Sequence, residues 1–133
     1  FIVTAEQERY YVQADGQLLW RVVENLLGNV LKYALPGSRV YIDLKEVAGI
    51  NGKDPQVLLE IKNISSTALN INADELMERF KRGDESRTTE GSGLGLAIAK
   101  DLVVLQNGWF EIKIDGDLFK AVVMLPRALP QDR

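Results

Sequence analysis

Between Leu18 and Leu31 apolar residues recur in adjacent pairs: Leu18-Leu19, Val22-Val23, Leu26-Leu27 and Val30-Leu31. Pairs repeating every four residues lay one broad apolar stripe along an α-helix and do not alternate across a strand. Asp15 is a good N-cap and Pro36-Gly37 a stop, so the spacing predicts a helix of about five turns. Such a stripe needs a second layer to cover it, and the rest of the chain supplies strands. Residues 39–47 alternate through Val40, Ile42 and Leu44, the stretch 49–55 is rich in turn formers, and 57–61 read as the returning strand. Residues 1–13 alternate loosely and read as one or two short strands. A short amphipathic helix is expected over 73–80 and an apolar helix over 96–106, stopped by Asn107-Gly108. Residues 109–114 and 118–125 then form a hairpin around Asp115-Gly116-Asp117. The order β-α-β-β-α-α-β-β predicts an α+β domain: a two-layer α/β sandwich with a mostly antiparallel mixed sheet and about three helices on one face.

Composition removes several functions. The 133 residues suffice for one domain, and 46% hydrophobic with 26% charged residues is a globular mix. A net charge of −3 gives no general attraction for a nucleic-acid backbone. With no cysteine there is no disulfide or thiolate zinc site. With no histidine there is no Ser-His-Asp or Cys-His relay, and no phosphohistidine forms on this chain. No apolar run approaches the ~20 residues needed to span a bilayer, and no secretory signal is visible. The chain opens on Phe1 rather than Met, so a piece of a larger protein is expected.

Three segments carry chemistry. On the first helix, Asn25, Asn29 and Lys32 fall within one ~60° stripe beside the apolar face. Asparagine costs a helix roughly half a kcal/mol against alanine, so two on one stripe need a reason. A solvated face is one reason; convergence of two amide oxygens and an ammonium on a phosphate–metal group is the other. Glycine-rich Gly91-Ser92-Gly93-Leu94-Gly95, running into Leu96, opens the later helix. It reads either as a flexible turn or as backbone N–H groups and a helix N-terminus offered to an anion. It is not a Walker loop, which would end Gly-Lys-Ser/Thr where this chain has Gly95-Leu96-Ala97. Nor is it a dinucleotide fingerprint, because 81–90 are polar where a buried strand is required. That polar stretch holds Arg82 and Arg87 with Asp84 and Glu85, either a solvated surface or a lid whose arginines meet transferring phosphoryl charge. Finally, Asn63 follows the 57–61 strand and offers a side-chain oxygen to an exocyclic amine, unless it is an ordinary strand-ending asparagine.

Together, and in this order, these segments resemble the GHKL (Bergerat-fold) ATP-binding superfamily, and within it the catalytic ATP-binding domain of sensor histidine kinases. Glu24–Tyr33 resembles the asparagine box, 76–87 the phenylalanine box with its arginine-bearing extension, and 91–100 the second glycine box. The likeness covers nearly all of residues 1–133. It implies that Asn25 and Asn29 face Mg²⁺ and the phosphates, with Asn29 the more direct ligand. Lys32 then contacts phosphate, Tyr33 lies against the nucleotide, and Arg82 reaches the γ-phosphate as a catalytic group beside Asn25 and Asn29. Arg87 and Gly91, Ser92, Gly93, Leu94, Gly95 and Leu96 complete the implied ATP site. Asn63 stands where the family usually has an Asp, and Ile64-Ser65-Ser66 replaces the usual first glycine box, so adenine selection departs from the common pattern.

Family members that hydrolyse ATP have a glutamate at the position of Asn25, and an amide cannot serve as that base. Asn25 therefore favours a kinase, whose imidazole acceptor is already a good nucleophile. The resemblance implies ATP and Mg²⁺ as cofactors and phosphoacceptor-His dimerisation helices of a parent kinase as the partner. A response regulator is served indirectly, and no nucleic acid is involved. The chain is expected to be monomeric in isolation and cytoplasmic, in a membrane-anchored parent. Two alternatives stay open: a degenerate nucleotide sensor without kinase activity, and a serine kinase of the anti-sigma-factor type with the same fold.

Overall fold

The computed structural model describes residues 1–5, 10–12, 14–48, 55–66 and 94–128. In chain order these form β1 (Ile2–Ala5), α1 (Gly16–Tyr33), β2 (Tyr41–Val47), β3 (Gln56–Ile64), α2 (Leu94–Leu105), β4 (Trp109–Asp115) and β5 (Leu118–Pro126). The five strands lie in one sheet, ordered β1-β2-β3-β5-β4. β1 pairs parallel with β2 and the other three pairings are antiparallel. This is the mixed, mostly antiparallel sheet expected. Among the described residues two helices accompany it; the helix expected over 73–80 and the polar stretch 81–90 lie outside them.

The buried layer follows from periodicity. On α1 the buried positions are Val22, Leu26 and Val30, each one turn from the last, with Leu19 and Leu27 packed against them. Leu31 closes the last apolar pair of the sequence pattern yet is 77% exposed, so the core-facing stripe is narrower than the pairs suggest. Leu96, Ala99 and Val103 of α2 meet the same core. The sheet contributes alternate residues: Ile61 from β3, Phe119, Ala121, Val123 and Leu125 from β5, and Phe110 and Ile112 from β4. Fully burying each such Leu, Ile, Val or Phe contributes about 1.5–3 kcal/mol against exposure.

Helix ends are fixed by specific hydrogen bonds. The Asp15 carboxylate accepts from the backbone N–H of Gln17 (2.9 Å) and Leu18 (3.1 Å), capping α1 as its sequence predicts. The Asp15 backbone N–H donates to the Gln106 side-chain oxygen at 2.7 Å, tying the start of α1 to the end of α2. That end is a Schellman cap: Gly108 N–H donates to Val103 C=O (2.9 Å), Asn107 N–H to Val104 C=O (3.0 Å), and Asn107 has a φ of 63°. At the other end of α1, Leu35 N–H donates to Ile64 C=O and Ser66 N–H to Tyr33 C=O, both at 2.8 Å. The Tyr33 carbonyl, one of those a helix leaves unpaired, is thereby satisfied by the chain leaving β3.

β3 runs three residues beyond the strand expected from the sequence. Asn63 therefore lies inside the ladder, opposite Phe119, rather than after the strand. Lys62 and Asn63 break the apolar run but not the alternation, and cross-strand pairing with β5 carries the strand through them. No helix among the described residues is long and apolar enough to cross a membrane.

Candidate nucleotide site

Two contacts bring the chemistry-bearing segments together: the middle of α1 faces the first turn of α2, and the end of α1 joins the end of β3. Because Asp15 is tied to Gln106 while Asn25 faces Gly95, α1 and α2 run antiparallel, and the polar stripe of α1 meets the N-terminus of α2. A Cβ built on Gly95 would stand 3.6 Å from Asn25 Oδ1 and 3.7 Å from Asn25 Cβ and Cγ. The asparagine stripe and the glycine segment, 70 positions apart between Asn25 and Gly95, are thus neighbours in space. The first turn of α2 also carries N–H groups without intrahelical partners, the helix end to which an anion is drawn.

Asn29 is one turn along α1 from Asn25, about 6 Å by helical rise, and both side chains are half-buried. Lys32 is exposed on the same stripe, with Nζ 5.0 Å from the centroid of the Tyr33 ring. That separation is within cation–π range, and it holds the ammonium beside the half-buried tyrosine. The Leu96 side chain is 1% exposed in the core, so what this residue offers a ligand is its backbone. Leu94 opens α2. Arg82, Arg87, Gly91, Ser92 and Gly93 lie outside the described residues.

Asn63 terminates the inward-facing row Val57–Leu59–Ile61–Asn63 of β3. It is 2% exposed, and its Oδ1 has no hydrogen-bond partner among the described residues. A buried amide oxygen without a donor costs about 1–3 kcal/mol, so this atom is a place where an incoming donor would be favoured. Ser65 follows on the same side of the chain, 8% exposed, at the bridge to Ala34 that joins β3 to α1. The sequence marks Ser65 only as a replaced glycine; the period-two continuation from Asn63 is the signal that places it on the buried side. Asn63 and Ser65 are the buried polar residues among those described, and no carboxylate is among them.

The donor set fits a metal–nucleotide rather than a metal alone. Among the described residues no group of three or more His, Cys, Asp or Glu could hold a metal ion. The amides of Asn25 and Asn29 supply hard oxygens of the kind Mg²⁺ accepts when phosphate and water complete its shell.

Comparison with known proteins identifies the family. The profile of the family described as "Histidine kinase-, DNA gyrase B-, and HSP90-like ATPase" matches residues 14–128. The sensor histidine kinase CusS of Escherichia coli O157:H7 is 32% identical over 117 residues, covering 86% of this chain and 23% of CusS. The probable sensor kinase SilS of Salmonella typhimurium is 30% identical over 118 residues, 87% of this chain and 22% of SilS. The chain thus spans less than a quarter of the length of these curated relatives. Among solved structures, the mycobacterial sensor histidine kinase MprB superposes with a TM-score of 0.72 at 27% identity, covering 96% of this chain and 80% of that one. The nucleotide-free catalytic domain of histidine kinase ThkA superposes with a TM-score of 0.74 at 19% identity, over 96% of this chain and 78% of its own, a likeness of fold.

Proposed function

Since the chain belongs to the histidine kinase-, DNA gyrase B- and HSP90-like ATPase family and so to the ATP-binding GHKL proteins, we propose that residues 1–133 are the catalytic ATP-binding domain of a sensor histidine kinase. In this reading the domain binds Mg·ATP and donates the γ-phosphoryl group to a histidine on separate dimerisation helices. The observation that carries it is the meeting of Asn25 with Gly95 at the N-terminus of α2, on a helix whose C-terminal end bridges to the β3 end, where the Asn63 oxygen is buried without a partner among the described residues.

Each group has a task in this reading. Asn29 and Asn25 offer amide oxygens to Mg²⁺, which when bound neutralises phosphate charge. Lys32 contributes a cation from the same stripe. The absent side chain at Gly95 leaves the first turn of α2 open, so its N–H groups can approach phosphate oxygens. Tyr33 lies against the nucleotide, and Asn63 receives a hydrogen bond from the base. Arg82 and Arg87, with Gly91, Ser92, Gly93, Leu94 and Leu96, complete the proposed set. Neither Asn25 nor Asn29 can take a proton from water. The domain therefore positions and stabilises rather than activating a hydrolytic nucleophile, which suits transfer to an imidazole.

The acceptor must come from elsewhere, because this chain has no histidine. In the transfer, the bond from the γ-phosphorus to the β,γ-bridging oxygen breaks, a phosphorus–nitrogen bond forms, and ADP leaves. The test pairs two assays on the 133-residue chain: calorimetric titration of ATP with Mg²⁺, and phosphorylation of an added His-bearing helical partner from a relative. Binding together with acid-labile phosphate on the partner supports the kinase. Binding without transfer to any such partner moves the non-catalytic sensor to first place, and absence of binding at millimolar ATP removes the nucleotide reading altogether.

A further inference from the structure

The buried polar groups at the end of β3 bear on which base the pocket admits, an inference that rests on reading this site as a nucleotide pocket. Among the described residues the buried polar side chains are Asn63, 2% exposed, and Ser65, 8% exposed. Both are two-way groups: an amide carries an acceptor oxygen and a donor nitrogen, and a hydroxyl both donates and accepts. An ionised carboxylate in the same place would only accept. Asn63 Oδ1 has no partner among the described residues, so turning the amide over breaks no hydrogen bond at that atom.

We propose that the Asn63 amide lets this pocket take 6-oxopurine nucleotides as well as 6-aminopurine nucleotides. Adenine presents an N6 amine, which donates, and hypoxanthine and guanine present an O6 carbonyl, which accepts. With its oxygen toward the base, Asn63 accepts from N6–H. With the amide rotated by 180° about χ2, its nitrogen donates to O6. Adenine and hypoxanthine have nearly the same outline, so shape does not separate them, and the buried hydrogen-bonding group decides. A carboxylate at 63 sets its lone pairs against those of O6 in a site that excludes water. An amide does not, because rotation about χ2 presents its donor nitrogen in place of its oxygen.

The comparison that isolates the position is ATP against ITP, which share the triphosphate and ribose and differ at the 6-position and N1. Calorimetric titration of the 133-residue chain with each nucleotide in Mg²⁺ is expected to give dissociation constants within about tenfold of one another, the ratio that 1.4 kcal/mol produces. In Asn63→Asp the preference for ATP over ITP is expected to rise by at least about tenfold, within the range that an unpaired buried acceptor costs. A preference of the unaltered chain for ATP above tenfold overturns the proposal, and this ratio needs no variant to fold. An unchanged ratio in an Asn63→Asp protein with native circular dichroism also overturns it, since the amide would then not be the reader. ATP binding without ITP binding sinks this inference and leaves the proposed function standing. Failure of both nucleotides to bind at millimolar concentration removes both.

Discussion

Gly95 in the first turn of α2 faces Asn25 of α1 so closely that a Cβ on it would lie 3.6 Å from the Asn25 side-chain oxygen. That distance is ordinary van der Waals contact, so a methyl group fits the fold without moving α1. The contact separates a stability effect from a binding effect. In Gly95→Ala, stability is expected to be unchanged or raised by up to about 1 kcal/mol, because alanine is the better helix former. The methyl group would nevertheless stand between the amide of Asn25 and the N–H groups of α2. Affinity for Mg·ATP is therefore expected to fall at least about tenfold. Thermal melts and ATP titration on the same sample check both halves.

Asn29 sits half-buried one turn from Asn25 and is a poor helix former in the interior of an 18-residue helix. Asn29→Ala is expected to stabilise α1 by about half a kcal/mol. If its amide oxygen is a ligand of Mg²⁺, the variant loses most of the difference between ATP affinity with and without the metal. Titration in Mg²⁺ and in EDTA reads that difference directly. A variant that keeps the full metal dependence would remove Asn29 from the metal site.

Local chemistry explains what the sequence disclosed. Asp15 before a four-residue apolar repeat announced α1, and its carboxylate caps the helix. Asn107-Gly108 announced the end of α2, and Asn107 adopts the left-handed conformation that such a cap uses. Asp115-Gly116-Asp117 announced the hairpin, and Gly116 takes the positive φ of 62° there. Pairing between distant segments was less legible. The parallel match of Ile2 with Tyr41 depends on a partner 39 residues away, and loose alternation at the chain start carries no address. The full length of β3 comes from β5, which carries the strand through polar Lys62 and Asn63. At the site, the asparagine stripe and glycine segment were legible as separate devices. Their contact through Gly95 is a product of α1 packing antiparallel on α2 and appears only in three dimensions. So does the burial of Asn63, which depends on an inward face that the sequence pattern had ended two residues earlier.

Gly108 is required by space rather than by backbone angle. A Cβ there would lie 2.6 Å from the Met124 carbonyl oxygen, 2.7 Å from Val103 Cγ1 and 2.8 Å from Leu125 Cδ2. One of these atoms belongs to the backbone of β5 and two to side chains pressed on the core, so none yields freely. Gly108→Ala is expected to cost about 1–3 kcal/mol, the range for forcing extra volume into a packed interior. Urea unfolding should show a lower midpoint with little change in slope.

Asn63 offers the sharpest separation between folding and function. Its oxygen is buried without a partner among the described residues, at the end of an otherwise apolar row on β3. For the empty domain that group is a liability, and in the proposed nucleotide site it would receive a hydrogen bond from the base. Asn63→Leu, which keeps the branching and number of side-chain heavy atoms but is apolar, removes that acceptor. The variant is expected to be more stable than the natural chain by about 1 kcal/mol when no nucleotide is present. That corresponds to a rise of a few degrees in melting temperature for a domain of this size. The same variant should lose the stabilisation that saturating Mg·ATP gives the natural chain, because ligand linkage vanishes with affinity. Melting both proteins with and without Mg·ATP therefore yields a crossing: the variant melts higher when empty and lower when nucleotide is saturating. A variant that melts lower without nucleotide would mean that the Asn63 amide supports the fold itself, and its unpaired oxygen would then need a different explanation.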